Sequence, residues 1–313
     1  MIARPFKTRF APSPTGLLHL GNVRTALFNY LFARRHGGIF LLRLEDTDAM
    51  RGHEKYAVAL MEDLRWLGLQ WDEGPQAGGT HGPYEQSRRG EIYRRYFVQL
   101  DEQGLAYPCF CCEHELSIAR KTAIAAGRPP RYSGKCRALS PEDVRARFAQ
   151  GVPATLRFRV PEGRTVTFED RVRGPQSFAT DDIGDFVIRR SDGTPAFFFC
   201  NAIDDAVMGV TLVVRGEDHL TNTPRQLMLL EALGLPVPQY AHIALVVGAD
   251  GAPLSKRTGG KSVQELRTAG FLPSAVNNYL ARLGHTYDAN DFMSLEVLAQ
   301  NFDLERLHRA PAR

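Results

Sequence analysis

Two short stretches carry residue types suited to holding phosphate. Pro12 to Asn22 (P-S-P-T-G-L-L-H-L-G-N) places His19, Gly21 and Asn22 at a helix start, where backbone N–H groups and the positive helix end attract anions. Far downstream, Gly251 to Gly260 (G-A-P-L-S-K-R-T-G-G) is a glycine-bounded loop with Lys256 at its tip, flanked by Leu254, Ser255 and Arg257. A histidine-bearing helix start facing a lysine loop can bind ATP phosphates and neutralise a departing pyrophosphate without a Walker loop. A third group, Cys109, Cys111 and Cys112 followed by Cys136, offers thiolates for a structural metal, with plain reduced thiols as the alternative. The acidic turn Glu45-Asp-Thr-Asp48 reads as a helix cap or a cation site, but the EF-hand pattern of glycine and glutamate does not follow it. Taken alone, Arg9 and Arg215 read as surface ion-pair members, Cys200 as a core residue, and His36, His53 and His285 as surface residues without partners.

Such residues need a frame that brings distant segments together. Residues 6 to 10 read as a strand, Leu20 to Arg35 as a helix with apolar residues at 20, 23, 27 and 31, and Ile39 to Leu44 as a buried parallel strand. Helical patterns over Tyr56 to Leu67 and Gly90 to Gln103 continue an α/β alternation of the doubly wound kind. From Tyr107 to about Cys200 the texture changes to a cysteine cluster, a helix at Glu113 to Ala126 and short strands at 155–160, 165–170 and 185–190. A strand at 210–215, a helix at 225–233 and a strand at 242–247 then resume the parallel rhythm, so an α+β domain interrupts one nucleotide-binding fold. After Ser262 the pattern is helical (263–269, 273–283 and 295–301).

Composition narrows the class. The 313 residues are 43% hydrophobic and 24% charged, which excludes disorder, collagen-like repeats and a disulfide-stapled miniprotein. No apolar run approaches the roughly 18 to 20 residues of a membrane span, and Met1 to Thr15 lacks a signal-peptide core, so a cytoplasmic protein is expected. Thirty-nine basic against 35 acidic residues leave only +4, which does not itself require a nucleic-acid partner. Only six of the basic residues are lysines, and arginine forks suit phosphate and carboxylate, although codon bias produces the same excess.

The ordered motifs resemble the class I aminoacyl-tRNA synthetases of the bacterial glutamyl type. His19-Leu-Gly-Asn22 stands for that family's HIGH signature and Leu254-Ser-Lys-Arg257 for its KMSKS loop. R-F-A-P-S-P-T-G (9–16), L-R-L-E-D-T-D (42–48), W-L-G-L-Q-W-D-E-G-P (66–75), D-D-A-V-M-G-V-T (204–211), R-G-E-D-H-L-T-N-T-P-R-Q (215–226) and L-P-S-A-V-N-N-Y-L (272–280) extend the likeness over nearly the whole chain.

The resemblance implies a Rossmann-like parallel catalytic sheet divided over 1–106 and 201–250. It further implies an acceptor-binding insertion at 107–200, and the lysine loop with a helical stem-contact segment at 251–313. It implies ATP with Mg2+, L-glutamate and tRNA as partners, a monomer, and catalytic roles for His19 and Lys256. ATP contacts fall on His19, Gly21, Asn22, Glu217, Leu254, Ser255, Lys256 and Arg257. Glutamate contacts fall on Arg9, Ala11, Ser13, Glu45, Phe197, Asn201 and Arg215, with Glu45 accepting from the ammonium and the arginines receiving carboxylates. Phe197 departs from a frequent family tyrosine and cannot donate a phenolic hydrogen bond. Structural zinc is implied at Cys109, Cys111 and Cys136, with Tyr132, Cys112 or His114 as the fourth ligand. Two other readings stay open: a glutamyl-queuosine type tRNA-modifying enzyme, which the length and the Tyr132 to Cys136 spacing favour, and a non-catalytic binding module. No anticodon-binding domain is expected within 313 residues.

Overall fold

The computed structural model describes residues 5–47, 53–248, 251–252, 261–288 and 291–312. Strand β1 (Lys7–Phe10) pairs in parallel with β2 (Ile39–Leu42) in the register Lys7↔Ile39 to Phe10↔Leu42. Helix α1 (Leu20–Arg35) makes the crossover between them. Its first turn carries no acid and its last turn carries Arg34 and Arg35, which suits the helix dipole at its C-terminal end and leaves the N-terminal end positive. Val23, Ala26, Leu27, Phe28 and Leu31 are all fully buried. That requires cover on two sides, supplied by the sheet and by the helices α10 (Pro273–Arg282) and α11 (Leu295–Asn301).

The second half supplies β8 (Leu212–Gly216) and β9 (Gln239–Ile243), parallel from Leu212↔Gln239 to Gly216↔Ile243 and joined by α8 (Thr223–Leu233). Thr211 N donates to Lys7 O at 2.9 Å and Lys7 N to Thr211 Oγ1 at 2.8 Å, which sets β8 beside β1. Helices α2 (His53–Trp66) and α3 (Gly90–Glu102) complete the first half.

Between the halves, β3 (Ala106–Cys109), β4 (Thr155–Phe158) and β7 (Phe186–Arg189) form an antiparallel sheet. Helices α4 (Glu113–Ala125) and α5 (Pro141–Ala149) bury none of their residues and lie on its outside. The hairpin β5 (Thr165–Asp170) and β6 (Gly174–Ala179) falls within the stretch read as an insertion, yet it hydrogen-bonds to the catalytic sheet through Asp170↔Tyr240. The one-turn helix α6 (Thr180–Ile183) leads from it to β7.

Several elements depart from the sequence expectation, among them β3 and β6, which were not read as strands. Helix α7 (Phe197–Val207) forms where no helix was read; its polar residues Asn201, Asp204 and Asp205 share one face at helical spacing, but that face is buried too, so no solvent-facing stripe marks the helix. Helix α5 was likewise not read, although Ser140 caps it and Pro141 starts it. Strand β9 begins at Gln239, three residues before the expected His242.

The C-terminal segment is tied to the edge of the catalytic sheet. Val247 N donates to Ala312 O at 2.9 Å and Ala312 N to Leu245 O at 3.0 Å. Arg24 on α1 donates from Nε to Leu283 O at 2.6 Å and from Nη1 to Ala244 O at 2.7 Å. A Cβ at Gly284, where φ is +81°, would stand 2.7 Å from Arg24 Nη2, so the turn after α10 needs glycine. Val263 N donates to Leu18 O at 3.0 Å, and Ser262 bridges to His19, so the start of α9 (Val263–Thr268) lies against the start of α1. Among the described residues no helix is long and apolar enough to cross a membrane.

His285 corrects the expectation of a surface residue. It is buried against Tyr287 and Phe302, with ring centroids at 4.3 and 5.1 Å, and its Nε2 accepts from Asp303 N at 3.0 Å. Burial brings its pKa down from 6.5 to about 4, so the unfolded chain takes up a proton that the folded chain refuses. Its contribution to stability is complete above pH 6.5 and is lost as the pH falls towards 4. Urea unfolding followed from pH 7 to pH 4 should show a shallower loss in His285→Phe than in the parent chain; equal slopes would refute this role.

Candidate active site

A cleft of about 910 Å3 opens at the carboxyl ends of β1, β8 and β9, where an α/β sheet places its ligands. Arg9, Ala11 and Ser13 line it from β1 and the following loop, and His19, Gly21 and Asn22 from the start of α1. Glu45 follows β2, Phe197 and Asn201 come from α7, and Arg215 ends β8. Every predicted glutamate-site residue therefore reaches one cavity. Leu254, Ser255, Lys256 and Arg257 lie outside the described residues.

His19 occupies the N-cap of α1 in extended conformation without a side-chain cap bond, so the first-turn N–H groups remain available at the cleft. A Cβ on Gly21 would approach the His19 ring at 3.1 Å, and glycine leaves that ring its place. Glu217 is the predicted ATP contact that does not line the cleft. Its Oε1 accepts from Leu245 N at 3.2 Å and its other oxygen pairs with Arg173, which fixes the rim instead.

Below the cleft lies a buried set of charges. Arg43 is fully buried and reaches Asp205 at 2.7 Å, Glu45 at 3.3 Å and Asp204 at 3.8 Å. Arg9 Nε pairs with Asp205 at 3.1 Å, and Arg89 Nε with Asp204 at 2.7 Å. Tyr93 Oη and Gln86 Nε2 also donate to Asp204, each at 2.8 Å. The carboxyl of Asp205 is driven up by desolvation, but Arg9 and Arg43 outweigh this and hold it below the usual range. Burial is the leading effect on Glu45 and pushes its pKa up, so a cation arriving beside it would be favoured.

Arg215 differs from these arginines. Its Nη2 donates to Gln226 at 2.7 Å and to Thr223 at 2.8 Å, and its Nε to the His242 ring. Nη1 is buried with no hydrogen-bond partner, and no acid contacts the guanidinium among the described residues. Burial lowers its pKa to about 10, which leaves it charged at neutral pH. Gln226 Nε2 in turn donates to Asn201 Oδ1 at 2.9 Å, and Asn201 Nδ2 to Glu45 Oε1 at 2.5 Å. The Phe197 ring lies 5.5 Å from that of His219, another cleft residue.

The sequence reading missed Arg43, Asp204, Asp205, Gln226 and His219 as functional neighbours. These five fall within the motifs quoted above, which was the available signal; Gln86, Arg89, Tyr93 and His242 fall outside them. The burial of Arg9 and Arg215 replaces the alternative of surface ion pairs.

The thiol cluster is also assembled. The sulfurs of Cys109, Cys111 and Cys136 lie within 4.8 Å of one another. Tyr132 Oη stands 3.4 Å from Cys109 Sγ and 3.5 Å from Cys111 Sγ, and accepts from Cys136 N at 2.8 Å. The Arg157 guanidinium lies 3.8 Å from the Tyr132 ring centroid. Desolvation raises the Cys109 thiol, but bonds from Tyr132 and Arg157 prevail and bring it to about 7, whereas burial and the neighbouring sulfurs push Cys111 up to about 11, so the cluster without a metal favours one thiolate and not three. Cys112 instead caps α4, its N–H donating to Glu115, and His114 is exposed on the same helix. Three thiolates with one phenol oxygen facing them fit structural zinc.

A parallel sheet with an uncompensated helix start and an arginine-lined cleft at the carboxyl ends of its strands is the arrangement of a nucleotide-binding α/β domain. Residues 5–313 match the family described as tRNA synthetases class I (E and Q), catalytic domain, and the chain belongs to that family. It is 64% identical over 307 residues to glutamate–tRNA ligase 2 of Nitrosococcus oceani and 61% identical to glutamate–tRNA ligase 1 of Methylococcus capsulatus. Each match covers 98% of this chain and 65% of the relative, so the chain spans 65% of the length of these proteins. A crystal structure of a glutamate tRNA ligase from Elizabethkingia meningosepticum in complex with its amino acid superposes with a TM-score of 0.90 at 37% identity. That match covers 99% of this chain and 67% of the other.

Removing one acid from the buried set leaves arginines without a counter-charge. Asp205→Asn should lower the unfolding free energy by about 3 to 5 kcal/mol in urea titrations. A change below about 0.5 kcal/mol, the range of neutral surface substitutions, would show that Arg9 and Arg43 do not depend on it.

Proposed function

We propose that this chain activates L-glutamate with ATP and passes it to tRNA. The observation that carries the reading is the charge left over in the cleft. Arg9, Arg43 and Arg89 are balanced by Glu45, Asp204 and Asp205; of the other charged residues lining the cleft, Arg24 is tied to the carbonyls of Leu283 and Ala244, Asp218 is acidic, and Arg215 is a buried cation that no acid contacts among the described residues, with one donor lacking a protein partner. Glutamate brings two carboxylates and one ammonium, a net charge of minus one. One carboxylate takes Arg215 Nη1, and the ammonium is drawn to Glu45, whose carboxyl gains most from a cation.

In this reading an oxygen of the α-carboxylate attacks the α-phosphorus of ATP. The bond to the bridging oxygen breaks, pyrophosphate leaves, and glutamyl-adenylate remains. A hydroxyl of the terminal adenosine of tRNA then takes the acyl group and releases AMP. No covalent enzyme intermediate is needed, only positioning and neutralisation of charge. His19 and the N–H groups of Gly21 and Asn22 steady the phosphates, and Lys256 between Ser255 and Arg257 follows the departing pyrophosphate. Mg2+ bound to ATP would neutralise part of the phosphate charge. Ala11 and Ser13 supply polar contacts to the amino acid, while Phe197 offers an apolar wall. Glu217 acts through the rim at Leu245. The setting is cytoplasmic.

The names of the relatives favour the ligase over the tRNA-modifying reading, and the filled set of cleft residues favours an enzyme over a binding module. ATP–pyrophosphate exchange with glutamate separates the three: exchange only with tRNA supports the ligase, exchange without tRNA the modifying enzyme, and none the module. Arg215→Ala should raise the KM for glutamate by about tenfold to a hundredfold or more, the loss of a charged hydrogen bond. Lys256→Ala should slow adenylate formation severely in a folded protein, and unchanged exchange would sink its assigned role.

Zinc at Cys109, Cys111, Tyr132 and Cys136 would brace the insertion. Elemental analysis under reducing conditions should give about one zinc per chain and almost none in Cys136→Ala, since a structural site needs its full ligand set. Metal-free parent protein would defeat this part of the reading.

A further inference from the structure

Arg215 lines the cleft, and Nη1 is its one nitrogen without a protein partner, so its placement depends on what holds the other two. Nε donates to His242 Nε2 at 3.0 Å, and that bond requires a lone pair on Nε2. The ring proton then belongs on Nδ1, which lies 2.6 Å from Asp170 Oδ2. Asp170 is itself held by Val172 N at 3.0 Å and Arg173 N at 2.8 Å on Oδ1, and by His242 N at 3.2 Å on both oxygens. Asp170, His242 and Arg215 are at most 5% exposed, so water does not compete for these bonds.

We infer that Asp170 and His242 are positioning residues for the amino-acid substrate: the carboxylate fixes the imidazole tautomer, the imidazole accepts from Arg215 Nε, and Nη1 is thereby aimed at a substrate carboxylate. The inference rests on the activation of an amino acid proposed above. An acid in direct contact with Arg215 would orient it equally well but would compete with the substrate for its charge. A neutral ring placed between them orients the guanidinium and leaves the charge available. The ring has few neighbours that could disturb this state. Arg215 and Asp170 face it edge-on, Thr223 Oγ1 lies 3.2 Å from Nε2, and Tyr240 stacks on it at 6.1 Å with an interplanar angle of 7°. Burial is the main cause that lowers the His242 pKa, which keeps the ring neutral at and below its ordinary titration range.

The isosteric change Asp170→Asn makes the sharpest test. The two backbone donors at Oδ1 would claim the amide oxygen and turn the NH2 group towards Nδ1. The ring proton would then move to Nε2 and meet Arg215 Nε–H donor against donor. 15N NMR of the histidine-labelled full chain should show His242 protonated on Nδ1 in the parent and on Nε2 in Asp170→Asn. His242→Asn, which loses the acceptor for Arg215, should raise the KM for glutamate by about ten- to a hundredfold, with the KM for ATP within about twofold. His242→Gln places an acceptor near the Nε2 position and should recover the KM for glutamate to within about threefold of the parent.

An Nε2–H tautomer in the parent, or equal glutamate KM values for the parent and a folded His242→Asn, would overturn the inference. If Asp170→Asn fails to fold, the parent spectrum and the contrast between His242→Asn and His242→Gln decide. A parent without glutamate-dependent exchange would defeat the proposed activity, whereas the tautomer result would stand by itself.

Discussion

A guanidinium removed from water must be met by acids or carbonyls, and Arg43 imposes that condition on the whole catalytic half. It is fully buried, and its three partners come from two places in the chain: Glu45 just beyond β2, and Asp204 and Asp205 on α7 after the insertion. Asp204 also receives Arg89 from the start of α3, and Asp205 receives Arg9 from β1. One polar set thus fixes β1, β2, α3 and α7 relative to one another. Apolar packing could place these elements, but it is tolerant of small slides; paired charges with no water to replace a lost partner are not.

The same set explains why two arginines at the cleft act differently. Arg9 is already committed to Asp205, whereas Arg215 is held by a hydroxyl, an amide and an imidazole that take its hydrogen bonds without cancelling its charge. The site keeps one cation in reserve by surrounding it with neutral acceptors. Desolvation strengthens its attraction for an incoming anion, since no acid among the described residues pairs with it directly.

Much of this was legible in the residues. The parallel strands and α1 could be read because apolar runs and a helical period mark them, whereas Arg9, Ala11 and Ser13 came only with the family resemblance. Helix α7 was not read, since its polar face of Asn201, Asp204 and Asp205 is as buried as the rest, and the two acids stood in a recognisable motif without an apparent role. His242 was equally silent: a histidine inside a buried strand has no local partner, and Asp170 lies 72 residues away. At the thiol cluster, the capping role of Cys112 and the Tyr132 hydroxyl beside the sulfurs were equally absent from the sequence pattern. Side-chain direction, which the sequence does not carry, is what these cases share.

The strand pairings also bear on how such a chain is made. Lys7 pairs with Thr211, 204 residues later, and the edge at Leu245 to Val247 receives its partner only from Ala312. During synthesis β1 can pair with β2 early, but its other edge must wait for most of the chain, with apolar sheet surface unsatisfied in the interval. The antiparallel sheet β3–β4–β7, whose strands are nearer to one another in sequence, waits less. Vectorial folding therefore favours the interrupting domain before the completed nucleotide-type sheet, and Leu245 to Val247, at the rim of the cleft, meet their partner only once residue 312 has emerged from the ribosome.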